Sequence, residues 1–258
     1  MHVYDPRAPI APGATLRPPE ATVADYKRLQ ERLGTARTIV VTPSTYGTDN
    51  RVTLGALAQL GPSARGVVVV DSSVSDDNLQ ALHRAGVRGI RFNLSLSQVA
   101  TIDMLEQLAP RVAELGWHVQ LLMPPAQLLE NAKLLADLPA QLVFDHFGRI
   151  PFSGATTHPA FGVIARLLES GRAWVKLSGV YINSAVGPPS YADAAPLARA
   201  YFSLAPDRVL WGSDWPHVAT KHRQPDDAEI LDLLLEWAPD DGARSQVLVN
   251  NPANLYGY

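Results

Sequence analysis

Eight short apolar runs alternate along the chain with longer stretches in which apolar residues recur three and four positions apart. The runs cover residues 2–5, 37–43, 66–71, 87–93, 117–123, 141–147, 173–179 and 208–213. Their length and β-branched content predict strands buried on both faces. The stretches between them, 23–33, 75–85, 101–115, 125–135, 158–169, 192–204 and 227–237, predict amphipathic helices. Thr22, Ser75 and Thr101 stand at helix starts as caps, and Gly34, Gly86, Gly116 and Gly171 stand where helices stop. Strict alternation predicts a parallel sheet, and eight strands predict its closure. The expected fold class is therefore α/β, a single (β/α)8 TIM barrel spanning residues 1–258.

Three interruptions break the rhythm. Pro-rich residues 9–19 follow the first run and residues 181–191, with Pro188 and Pro189, follow the seventh, both too irregular for helices. Residues 243–256 carry a short helical pattern expected to pack back on the strands.

Composition narrows the function classes. A length of 258 residues with 47% hydrophobic content suits one barrel with a large core. The formal net charge of −3 and the scattered Lys and Arg exclude a grip on phosphate backbones, so no nucleic-acid partner is expected. No cysteine is present, which leans toward a reducing compartment and removes thiolate chemistry. No apolar run approaches the roughly 20 residues of a membrane span, and residues 1–7 do not read as a signal peptide. A cytoplasmic protein with no membrane partner is expected.

The C-terminal ends of the predicted strands gather the candidate chemistry, as the working face of such a barrel should. They carry His2; Ser44, Tyr46 and Asn50; Arg91 and Asn93; Gln120; Asp145 and His146; Lys176, Ser178 and Tyr181; and Asp214 with His217. In the run 208–213, Gly212 lets the backbone pass close to a neighbour, and Pro216 forbids the ladder from continuing, which leaves Asp214 where strand gives way to loop. Such a polar set suits an anionic or polyhydroxylated small molecule. Each member also has a structural alternative: Asp214 as a turn cap, His146 as a core histidine, Arg91 or Lys176 as half of an ion pair with Asp71 or Asp145, Tyr46 and Tyr181 as mouth closures. His83, His158 and His222 fall on helical or loop segments, where histidines without a task are expected.

Gly212-Ser213-Asp214-Trp215-Pro216-His217, with Asp145-His146-Phe147-Gly148 and Lys176-Leu177-Ser178-Gly179, resembles the amidohydrolase-related proteins of the 2-pyrone-4,6-dicarboxylate lactonase and sugar-lactonase type, in order and spacing over nearly the whole chain. The resemblance implies that Asp214 is the general base and His146 the histidine beside it. It also implies that His2 is the second histidine of a His-x-His whose first member is missing here, and that Arg91 and Asn93 form a carboxylate-binding element. Gln120 stands where metal-dependent relatives offer a histidine, so no metal ligands are assigned and no cofactor is required, although the pattern leaves room for a single divalent ion such as zinc or manganese.

The expected activity is thus a metal-independent hydrolase that opens a carboxylate-bearing or sugar-acid lactone. Asp214, His146, His2 and His217 form its catalytic set, and Arg91, Asn93, Tyr46, Ser44, Asn50, Gln120, Lys176 and Tyr181 bind the substrate. Lactone isomerisation and non-catalytic binding of an anionic small molecule are the alternatives. The lactone is the expected partner, and a homo-oligomer stays open.

Overall fold

The computed structural model describes residues 1–95, 100–220 and 224–258; His222 lies outside them. Its contacts divide the chain into two compact units, Met1–Leu121 with Leu138–Gln141, and Leu122–Asp137 with Leu142–Tyr258.

In the first unit, strands β1 (Thr38–Val41), β2 (Ala64–Val68), β3 (Val87–Asn93) and β4 (His118–Leu122) lie in that order. β1 and β2 run parallel, as do β2 and β3, with a register shift between Gly66 and Val67. Helix α1 (Val23–Leu33) precedes β1, and α2 (Arg51–Leu60), α3 (Asp76–Arg84) and α4 (Asp103–Glu114) fall between the strands. Val40, Val67, Val87, Ile90 and Val119 are fully buried, and α2 and α3 pack on β2 and β3 with Leu57 and Leu79 buried. Two expected caps are present. Thr22 accepts from Asp25 N while the Asp25 carboxylate accepts from Thr22 N, a reciprocal capping box, and Ser75 accepts from Asn78 N. The expected cap at Thr101 is not made: α4 starts from Ile102 without a side-chain cap.

The second unit continues with α5 (Pro125–Glu130), α6 (Ala132–Asp137), β5 (Leu142–Phe144), α7 (Pro159–Glu169), β6 (Ala173–Leu177), α8 (Ala195–Leu204) and β7 (Val209–Trp211). After these come α9 (Asp227–Asp232), α10 (Leu234–Trp237), α11 (Asp241–Ser245) and α12 (Asn251–Tyr256). β5, β6 and β7 pair in parallel. The helices expected over 125–135 and 227–237 are each broken in two.

Seven strands, not eight, are formed among the described residues, because residues 2–5 do not make one. Val41 N donates to the Met1 carbonyl at 2.9 Å, but Tyr4 then turns its backbone to Ala21, giving and receiving one bond in an isolated antiparallel bridge. Pro6 follows and offers no N–H to continue a ladder. Other runs are also shorter than expected. The run 141–147 stops at Phe144, and His146, Phe147, Gly148 and Arg149 all take positive φ; the run 208–213 stops at Trp211.

The expectation for residues 243–256 holds. Asn251, fully buried, donates through Nδ2 to the carbonyls of Pro206 and Val209, at 2.8 and 2.7 Å, and ties α12 to the start of β7. Asn251→Ala should leave both carbonyls without that donor and cost about 1–3 kcal/mol, lowering Tm by roughly 2–10 °C. A melt that matches wild type would show that α12 is held by apolar packing alone.

Candidate active site

Short turns after β5, β6 and β7 hold one connected group of side chains in the second unit. His146 lies just beyond β5, in the left-handed region at φ 52°. Its Nδ1 is 2.9 Å from Ser178 Oγ, just past β6. With the Ser178 hydroxyl donating to Nδ1, Nε2 carries the ring proton and faces Asp214, whose Oδ1 is 3.8 Å away. Tyr181, in the turn after β6, donates its hydroxyl to Asp214 Oδ2 at 2.6 Å, a bond that favours the ionised carboxylate. His146 Nε2 and Asp214 Oδ1 are too far apart to bond each other, yet an oxygen about 2.8 Å from each would touch both. That is the geometry for gripping a water or a substrate oxygen.

The backbone at these positions is strained. Among the described residues, the non-glycine positions at positive φ are His146, Phe147, Arg149, Tyr191, Asp214 and His217. A residue with a Cβ costs about 1–2 kcal/mol there, and three of the six belong to the catalytic set read from the sequence. Such strain persists only where the surroundings over-determine it, and it concentrates at functional sites. The surroundings are identifiable. Tyr201 Oη donates to the Phe147 carbonyl at 3.1 Å, and burial pushes this phenol well above its ordinary range, keeping it a neutral donor. Gly179 sits where a Cβ would come within 2.7 Å of His146 Nδ1. The Lys-Leu-Ser-Gly motif therefore serves His146 twice, with a hydroxyl from Ser178 and with space at Gly179. A Cβ at Gly212 would sit 3.3 Å from Lys176 Cδ and Ser178 Cβ, which is the close passage expected there.

His217 is deeply buried. Its ring meets the Tyr181 ring edge-on, with centroids 5.4 Å apart, and its backbone N donates to the Asp214 carbonyl at 2.9 Å. The sequence reading missed its carboxylate partner: Asp227 Oδ2 lies 3.0 Å from His217 Nε2, off the direction of an aligned hydrogen bond. Asp227 begins a helix and belongs to none of the motifs, so no sequence signal pointed to it.

Lys176 makes the ion pair read as its structural alternative: its Nζ is 2.9 Å from Asp145 Oδ1, with the carboxylate side chain only 2% exposed.

In the first unit the expected binding residues divide. Arg91, Asn93, Gln120 and His2 are buried at or near strand ends, and His2 Nδ1 contacts the Val41 carbonyl at 2.8 Å. Asn93 donates to Ser44 Oγ at 2.7 Å, fixing one turn to another. Asn50 is a fastener: it accepts from Thr42 and Val69 N and donates to the Val69 carbonyl, joining the ends of β1 and β2. The Tyr46 hydroxyl accepts from Asp5 N and donates to the Asp5 carbonyl, and burial pushes its pKa up. A cavity of about 450 Å³ beside Tyr4, Glu20 and Arg51 has none of the expected site residues in its walls. His83 and His158 do have tasks. His83 accepts from Trp117 Nε1 at 2.9 Å, and His158 caps α7 by accepting from Ala160 N.

Among the described residues no three His, Cys, Asp or Glu side chains converge as ligands for a metal, and one Asp214 oxygen is already bonded to Tyr181.

If Lys176 is half of a buried pair, Lys176→Met should strand the Asp145 charge and cost about 3–5 kcal/mol, with Tm falling on the order of 10 °C. Removing both charges, in Asp145→Leu with Lys176→Met, should recover most of that loss. An unchanged melt for the single variant would return Lys176 to the binding set.

Comparison with known proteins places the chain in a family. The profile of a family described as Amidohydrolase matches residues 1–258. The chain is 37% identical, over 99% of its length and 88% of the relative's, to 2-pyrone-4,6-dicarboxylate hydrolase of Comamonas testosteroni. It is 33% identical, over 99% of its length and 89% of the relative's, to D-galactarolactone isomerase of Agrobacterium fabrum. A crystal structure of an Agrobacterium tumefaciens protein superposes with a TM-score of 0.92 at 33% identity, covering 100% of this chain and 92% of that one. A probable 2-pyrone-4,6-dicarboxylic acid hydrolase from Acinetobacter baumannii, with citric acid bound, superposes at 0.89 and 26% identity, covering 100% and 97%. With a family match over its whole length and relatives above 30% identity across nearly all of it, the chain belongs to the amidohydrolase family.

Proposed function

We propose that the protein is a metal-independent lactone hydrolase acting on a lactone that bears a carboxylate or derives from a sugar acid, with Asp214 as general base. The observation that carries this reading is the set His146, Asp214 and Tyr181, whose spacing leaves a position for an oxygen in reach of both His146 and Asp214. Relatives named as lactone hydrolases and a lactone isomerase support the substrate class.

In this mechanism Asp214 takes a proton from water as its oxygen attacks the lactone carbonyl carbon. The carbonyl π electrons move to oxygen, and the His146 Nε2–H stabilises the resulting oxyanion, a contribution that matters most in a water-poor site. Collapse of the tetrahedral intermediate breaks the ring C–O bond, and Asp214 returns the proton to the departing ring oxygen. Tyr181 keeps the carboxylate oriented and ionised between these steps. The sequence resemblance makes Arg91 with Asn93 the carboxylate-binding element, and the planar fork of an arginine matches a carboxylate. Lys176 is left out, because its charge is paired with Asp145.

The second reading is isomerisation, favoured by the D-galactarolactone isomerase relative. There the same base deprotonates a substrate hydroxyl, and the ring re-forms on a different oxygen. A panel of carboxylate-bearing and sugar-acid lactones followed with a pH indicator separates the two, since hydrolysis releases a proton and isomerisation does not. Binding without any turnover across the panel would sink both.

Asp214→Asn should fold normally and lower kcat by at least about 10²-fold, the low end for loss of a general base. Near wild-type turnover in that variant would remove Asp214 from the mechanism. Activity should also survive prolonged incubation with a chelator, with metal content well below one equivalent. Loss of activity that zinc or manganese restores would overturn metal independence.

A further inference from the structure

We infer that Asp227 is a positioning residue for the base, acting through His217 on both the Asp214 backbone and the Tyr181 ring; this rests on the reading of Asp214 as general base. Asp227 is 7% exposed and stands at the first position of α9. The helix does not need it as a cap, because Asp226 already accepts from Ala228 N at 2.8 Å. A carboxylate kept out of water without a capping role is costly unless a polar group answers it. The ring that answers is His217, 1% exposed, with Nε2 at 3.0 Å from Asp227 Oδ2.

His217 reaches the base by two routes. Its backbone N donates to the Asp214 carbonyl at 2.9 Å and closes the turn in which Asp214 and His217 both hold positive φ, 60° and 62°. Its ring meets the Tyr181 ring edge-on, at an interplanar angle of 77°, and Tyr181 is the residue that bonds Asp214 Oδ2. Asp227 does not itself touch Asp214. It meets the imidazole at Nε2, and the same ring packs on the phenol while the His217 backbone closes the turn. Release of the Nε2 contact lets the ring tilt, and the tilt reaches the carboxylate through the tyrosine.

The test is kinetic and structural. Asp227→Asn should lower kcat on the best lactone by about 10- to 100-fold, the scale for small misplacement of a reacting group, while KM stays within about twofold. Asp227→Glu, which keeps the charge, should recover a large part of the loss. Because Asp227 acts through His217, the double variant Asp227→Asn/His217→Gln should be no slower than His217→Gln alone. In a crystal structure of Asp227→Asn the Tyr181 hydroxyl should sit beyond hydrogen-bond reach of Asp214 Oδ2. Losses that multiply in the double variant, wild-type kcat in Asp227→Asn, or an intact Tyr181–Asp214 bond would each overturn the inference. If Asp227→Asn does not fold, Asp227→Glu carries both readouts: its kcat must exceed that of His217→Gln, and its structure must keep the bond. A wild type that turns over no lactone defeats the functional reading instead, and the Tyr181–Asp214 distance in the variants still decides the positional one.

Discussion

Left-handed backbone at residues that resist it is the constraint on which this site depends. His146, Asp214 and His217 all carry a Cβ, and each would relax to an ordinary conformation if its neighbours let go. The neighbours do not. Tyr201 holds the carbonyl of Phe147, Ser178 holds the His146 ring, and the His217 amide holds the Asp214 carbonyl. A strand can deliver a side chain only to one face or the other, on a period of two. A left-handed residue just past the strand end breaks that alternation, which is how His146 and Asp214 come within 3.8 Å although they follow different strands.

Much of this was legible in the sequence, and the rest failed for definable reasons. Seven of the apolar runs are strands at nearly the expected places, because burial on both faces leaves a continuous apolar signature. Among the runs read too long, those ending at Phe147 and at Ser213 overran because hydropathy records burial and not φ: Phe147 is buried, but in a turn. Residues 2–5 have a strand's composition, yet their backbone bonds go mainly elsewhere, and hydrogen-bond partners are invisible to periodicity. Thr22 and Ser75 were readable as caps since the partner amide is three residues away.

Long-range pairing was the blind spot. Asp145 and Lys176 were each visible as chemistry at a strand end, and their pairing could be named only as an alternative, because β5 and β6 bring together residues 31 apart in sequence. Tyr46 and Asn50, read as binding residues, also bond distant backbone, and those partners were invisible for the same reason. The contacts that Ser178 and Gly179 make with His146 were likewise not read from the sequence, although both residues stand in the Lys-Leu-Ser-Gly motif.

The tie between Asn251 and the start of β7 reaches further than the stability of one helix. Asp214 follows β7 by three residues, and the strand's carbonyl at Val209 is held by an amide near the end of the chain. During synthesis the segment that carries the base therefore leaves the ribosome well before the residue that braces it. The Val209 carbonyl gains its Asn251 donor only once α12 has been made.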